Sequence, residues 1–270
     1  MTNRAPRRGR AATVPPLGCA PSTTSDCPLP LTEPLLLTTA PIGTFDGTHR
    51  LSGATGFFFE RSGRLYLVTS RHVVIDAPSG HFPNRVEVEF HTNSQDLART
   101  AVLSLLLYED GASVWRQGSD AGGDVDIAVI ELDRSVLPPT AAIRCFTPAH
   151  LQRALNEIEV GSPLLIVGFP LGFLDTLHRL PVARSAVIAS SFGLRFQGQG
   201  YFLTDARTHR GMSGAPVVMR GGPDGDPLPW KLLGVHSASM DMGDRDRQLD
   251  ESLGLNCAWY ADMLLTLTQE

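Results

Sequence analysis

Cysteine is scarce in this chain and lysine almost absent. The 270 residues hold four cysteines, Cys19, Cys27, Cys145 and Cys257. They form no Cys-x-x-Cys pair and no zinc spacing, so the sequence carries no metal-finger signature. Two of them fall in the first thirty residues, where a Cys19–Cys27 bridge would need an oxidising compartment; free buried thiols are expected for the others. His49, His81, His91, His150 and His178 show no metal spacing either, and neither a metal nor another cofactor is expected. Lys231 is the only lysine, which reads as compositional bias. No apolar run is long enough to cross a membrane or to form the core of a secretory signal. A cytoplasmic setting without a membrane partner is therefore expected. The net charge of −5 gives no reason to expect nucleic acid as a partner. There is no internal repeat.

What is present is ordinary globular composition, 42% hydrophobic and 19% charged, in a chain long enough to bury a substantial core. Residues 1–40 differ from the rest: Arg4, Arg7, Arg8 and Arg10 precede a Pro-, Ser- and Thr-rich run, which reads as a basic, disordered tail. From about residue 42, short apolar or alternating runs are separated by turn signals, the pattern of an all-β sandwich or barrel protein. Thr55–Glu60 and Arg64–Thr69 flank Arg61-Ser62-Gly63, read as a three-residue hairpin loop. Val86–Phe90 alternates as a half-solvated strand should. Apolar runs at Ala101–Tyr108 and Ile127–Leu132 complete a first group, residues 41–137. After Pro138-Pro139 comes a second group, residues 138–270: a helically spaced linker at Pro148–Glu159, then strands near 164–167, 183–190, 200–204, 216–219 and 230–235. Ala258, Ala261, Leu264 and Leu265 share one helical stripe, which predicts a C-terminal helix over 258–267. Two groups of strands imply two packed barrels or sheets.

Three local blocks carry reactive residue types. Gly211-Met212-Ser213-Gly214 places a serine in a small-residue turn before the apolar run Ala215-Pro216-Val217-Val218. A serine hydroxyl is a weak nucleophile and needs a base, an orienter for that base, and donors for the developing oxyanion. Flanking glycines suit the donor requirement, because they allow N–H groups to turn inward. Thr69-Ser70-Arg71-His72-Val73-Val74 puts a histidine at a strand end, and Asp126-Ile127-Ala128-Val129-Ile130 puts a carboxylate at a strand start. Separately, each fits a hairpin turn, a packing residue or a turn residue. Together they supply every role of acyl-transfer catalysis.

In that order, these blocks resemble the three catalytic blocks of the chymotrypsin-like (trypsin-like) serine peptidases, with bacterial members of the high-temperature-requirement and glutamyl-endopeptidase kinds most similar. Val167–Gly172 and Thr204-Asp205-Ala206 resemble further family blocks, and the resemblance covers roughly residues 50–260. It implies two antiparallel six-stranded β-barrels with the active site in the cleft between them. It assigns Ser213 as nucleophile, His72 as general base, Asp126 as orienter, and the N–H groups of Gly211 and Ser213 as the oxyanion hole. Asp124 is the rival orienter, set aside because the family's aspartate directly precedes the apolar run.

The same resemblance places Thr208 and His236 where glutamyl endopeptidases and picornavirus-type proteases line the primary pocket, with Arg207 adding positive potential and Ser237–Ser239 offering an edge for an extended peptide. Glu or Gln before the scissile bond is one reading of that pocket; small apolar side chains, with His236 merely packing, is the other. The peptide-binding domain that often follows in the high-temperature-requirement kind is not expected after this peptidase unit. Asp241–Glu251 reads as a solvated charged loop lacking a full calcium ligand pattern. The expected partner is a polypeptide substrate. A peptide-binding module that keeps the residues behind occluding loops is the alternative to an active enzyme.

Overall fold

Along the strand His49–Arg61, Phe57, Phe58 and Phe59 are all buried. Successive side chains of a strand point to opposite faces, so this triplet requires burial on both. Phe58 packs with Ile42, Leu67, Val86, Val88 and Ile130. Phe57 and Phe59 enter a different cluster with Tyr66, Val68, Phe146, Val218 and Leu264. The strand thus separates the interior of its own sheet from the second half of the chain, and each phenylalanine stabilises that arrangement by about 1.5–3 kcal/mol on leaving water.

The computed structural model describes residues 32–152, 154–240 and 253–269. After a 3₁₀ turn at Pro34–Thr38 come β1 (Thr39–Asp46), β2 (His49–Arg61) and β3 (Arg64–Thr69). One helical turn, α1 (Arg71–Val74), precedes β4 (Arg85–His91) and β5 (Thr100–Leu106). Five two-residue strands follow: β6 (Tyr108–Glu109), β7 (Ala112–Ser113), β8 (Trp115–Arg116), β9 (Ser119–Asp120) and β10 (Gly123–Asp124). Then comes β11 (Ala128–Leu132). These make an antiparallel seven-stranded sheet in the order β5-β4-β1-β2-β3-β11-β8, while β6/β7 and β9/β10 pair only with each other.

The second half contains β12 (Pro163–Gly168), β13 (Val182–Ile188), β14 (Tyr201–Asp205), β15 (Pro216–Arg220), β16 (Trp230–Ser239), β17 (Leu255–Tyr260) and α2 (Met263–Leu267). Its six strands close into a barrel, β12-β13-β14-β17-β16-β15, around Ile166, Ile188, Phe202, Val217 and Leu233. The all-β, chymotrypsin-like architecture expected from the sequence is present. No helix among the described residues is long and apolar enough to cross a membrane.

Five expectations need correction. The first unit is a curled sheet and not a closed six-stranded barrel, because the chain between β5 and β11 goes into short ribbons and leaves only the two-residue β8 at that edge. The hairpin after β2 has two loop residues, since Arg61 pairs with Arg64; Ser62 and Gly63 both take the left-handed φ that such a tight turn demands. The expected helix over 258–267 is a strand to Tyr260 followed by a five-residue helix, and the linker helix is two isolated 3₁₀ turns. The fold also starts before residue 40: Leu35 and Leu37 are buried beside β1. Residues 1–31, including Cys19 and Cys27, and the charged segment 241–252 lie outside the described residues.

Candidate active site

His72 enters the site on α1. The turn begins where β3 ends, and Ala128 of β11 pairs with Thr69 of β3. That register sets Asp126, two residues before Ala128, opposite the first turn of α1. One carboxylate oxygen, Oδ1, accepts the backbone N–H of His72 at 2.8 Å; the other, Oδ2, lies 2.7 Å from His72 Nδ1. A carboxylate can only accept, so Nδ1 carries the proton and Nε2 keeps its lone pair. Oδ2 also accepts from Ser237 Oγ at 2.5 Å. Asp124 is exposed in β10.

The electrostatics follow from these contacts. Burial alone would hold the His72 imidazolium down, but the hydrogen bond and charge of Asp126 outweigh it, with Asp76 adding, and its pKa rises above the ordinary histidine value. Burial would likewise raise the Asp126 carboxyl; the hydrogen bond and charge of His72, then the Ser237 hydroxyl and the His72 amide, pull it below the usual carboxylate range.

Ser213 sits in a loop clamped from both sides. Met212 is fully buried in the barrel core. Gly214 N–H donates to His236 O at 2.7 Å, and His236 N–H donates to Ala215 O at 2.8 Å, so the loop is stitched to β16. Thr55, buried on β2, holds it to the first sheet: its N–H donates to Ser213 O at 3.0 Å, and its Oγ1 donates to Gly211 O at 2.7 Å while accepting the Phe169 N–H at 3.1 Å. Gly211 and Gly214 have φ of 93° and 86°. A Cβ at Gly214 would run into Thr55 O and Thr69 Oγ1, and one at Gly211 into Phe169 O, so both positions require glycine.

Leu171 N–H donates to Arg210 O at 2.6 Å. In a trans peptide C=O and N–H point opposite ways, so this bond turns the Gly211 N–H away from Leu171. Neither Gly211 N–H nor Ser213 N–H has an acceptor among the described residues. The Ser213 hydroxyl donates to Ser237 O at 3.1 Å.

Beside this loop lies a cavity of about 620 Å³ lined by Asp205, Ala206, Arg207, Thr208, His209, Ser239, Gly254 and Asn256. Of the residues read as pocket-forming from the sequence, Arg207 and Thr208 line it. His236 does not: it is 2% exposed, its Nδ1 has no hydrogen-bond partner among the described residues, and burial, with the charge of His72 adding, pushes its pKa down to about 4. Ser237 turns toward Asp126. Thr55, Leu171 and Asn256 escaped the sequence reading. Asn256 alone left a trace, as a lone amide in an otherwise apolar run that would be costly to bury unpaired.

The trypsin-like peptidase domain family matches residues 54–223, well over half of the chain. Among solved structures, an HtrA-type protease, an AlgW variant with a tripeptide, is similar over 86% of this chain and 58% of its own, at 19% identity and a TM-score of 0.51. A serine endoprotease from Yersinia pestis is similar over 86% of this chain and 61% of its own, at 16% identity and a TM-score of 0.49. The chain therefore spans about three fifths of the length of those two solved chains. Comparison with curated proteins gives no match.

Proposed function

For a chain that belongs to the trypsin-like peptidase domain family, we propose hydrolysis of peptide bonds by a serine mechanism, with Ser213 as nucleophile, His72 as general base and Asp126 as its orienter. The observation that carries the reading is the double commitment of the Asp126 carboxylate to His72, which leaves Nε2 as the free base. Rotation about the Ser213 Cα–Cβ bond releases its hydroxyl from Ser237 O toward that nitrogen. Ser213 Oγ attacks the scissile carbonyl as its proton passes to Nε2, and the unpaired N–H groups of Gly211 and Ser213 receive the oxyanion. Each such donor contributes about 3 kcal/mol to the transition state. Collapse expels the amine, which takes the proton from the imidazolium. Water, deprotonated by His72, then attacks the acyl-enzyme and frees Ser213.

The substrate is an extended polypeptide lying against the edge at Ser237–Ser239, with Glu or Gln before the scissile bond in the cavity beside Arg207 and Thr208. Digestion of a diverse peptide library by wild type and by Ser213→Ala tests both parts. Cuts after Glu or Gln that vanish in the variant are expected. Ser213-dependent cuts after small apolar residues would remove the pocket assignment and keep the mechanism; equal cutting by the variant would remove the mechanism.

A further inference from the structure

We infer that Asn256 sets the specificity cavity to receive a hydrogen-bond donor, so that the enzyme takes glutamine before the scissile bond in preference to glutamate. This rests on the proposed reading of the Arg207–Thr208 cavity as the primary pocket.

Asn256 is 1% exposed on β17 and pairs across the sheet with Ser239 of β16. Its Nδ2 donates to Ala206 O at 2.7 Å and to Gly254 O at 2.9 Å. Carbonyl oxygens only accept, so both amide hydrogens lie on that side and the orientation of the amide is fixed. Oδ1 then faces the hydroxyls of Thr208, at 2.6 Å, and Ser239, at 3.1 Å. An amide oxygen also only accepts. Both hydroxyls therefore spend their single hydrogen on Asn256, and each is left with lone pairs alone.

Thr208 and Ser239 line the cavity, so what they offer an entering side chain is two acceptors. A carboxylate brings no hydrogen and sets lone pairs against lone pairs. A primary amide brings two N–H donors. An ammonium or guanidinium also donates, but among the described residues of the wall the exposed Asp205 and Arg207 carry opposite charges and supply no net negative charge to compensate a buried cation. Burying an unpaired charge costs far more than burying an amide with its hydrogen bonds made. Turning either hydroxyl round to donate outward would strip a donor from the buried Oδ1, which is itself unfavourable.

The test is kcat/KM on peptides identical except for Gln, Glu, Met or Lys before the scissile bond. Gln over Glu by at least about tenfold is expected. Ser239→Ala at the exposed rim and Thr208→Val are each expected to lower the ratio of Gln to the near-isosteric Met by several fold. Binding of product peptides ending in Gln or Glu to Ser213→Ala protein keeps the test independent of catalysis, with the Gln peptide expected to bind more tightly. Equal or better use of Glu, in rate and in binding, would overturn the inference while leaving the Glu/Gln reading intact. A preference for Lys would overturn the neutral-donor assignment, and a preference for Met would overturn the pocket reading beneath it.

Discussion

Asp126 grips His72 twice, one carboxylate oxygen on the backbone N–H at 2.8 Å and the other on ring Nδ1 at 2.7 Å. The backbone contact fixes where α1 begins relative to β11, and the ring contact fixes which nitrogen is free. Placement and tautomer thus depend on the same side chain.

Replacing Asp126 by Asn separates the two. The amide oxygen can still accept from the His72 N–H, but its NH₂ faces Nδ1 and favours the wrong tautomer. A loss of about 10⁴ in kcat is expected, with the melting temperature changed far less than by loss of a core residue. Stopped-time peptide assays beside thermal melts check this; kcat within a few fold of wild type would contradict it.

The pH dependence has a definite sign. In the proposed mechanism catalysis needs neutral His72, whose pKa lies above the ordinary 6.5, so the acid limb of kcat/KM is expected above that value. The same raised pKa contributes stability below the unfolded histidine value that is lost as pH rises through the folded one. In Asp126→Asn the limb should move to lower pH, as read from the pH profile of its residual rate.

His236 works in the opposite direction. Its pKa, held near 4 by burial and His72, means the folded state resists protonation that the unfolded chain accepts. Stability is full above about pH 6.5 and falls as pH drops toward 4, by on the order of 3 kcal/mol. His236→Gln should flatten urea-unfolding midpoints between pH 4 and 6.5; an unchanged slope would assign the acid lability elsewhere.

Thr55 tests the clamp between the two halves. Thr55→Val keeps the shape but leaves Gly211 O and Phe169 N–H without their partner, at a cost of about 1–3 kcal/mol in stability. Loosening Gly211 should lower kcat more than it raises KM, and Thr55→Ser should restore both. Gly214→Ala, which drives a Cβ into Thr55 O, should destabilise by more than either, on the order of 3 kcal/mol or above.

How much of this was legible in the sequence depends on how local each feature is. The blocks around His72, Asp126 and Ser213 each sit on one strand end or turn, so residue type and spacing exposed them. Choosing between Asp124 and Asp126 required the Ala128–Thr69 register, which a linear reading approaches only by resemblance. The helical stripe through Ala258 and Leu264 misled because its residues are shared between a strand and a short helix. Asn256 was unreadable for a related reason: Thr208 and Ala206 lie about fifty residues away in sequence, and the polarity of the hydroxyls it controls exists only once those partners meet. Thr55 is likewise silent alone, its contacts lying more than a hundred residues distant.

The most direct measurement is mass spectrometry of the protein after reaction with a peptidyl aryl phosphonate, beside His72→Ala and Ser213→Ala. A single adduct located on Ser213, formed rapidly in wild type and slowed by orders of magnitude in His72→Ala, is what a His72-activated nucleophile predicts. A folded wild type that forms no adduct, or forms it as fast without His72, would contradict the account.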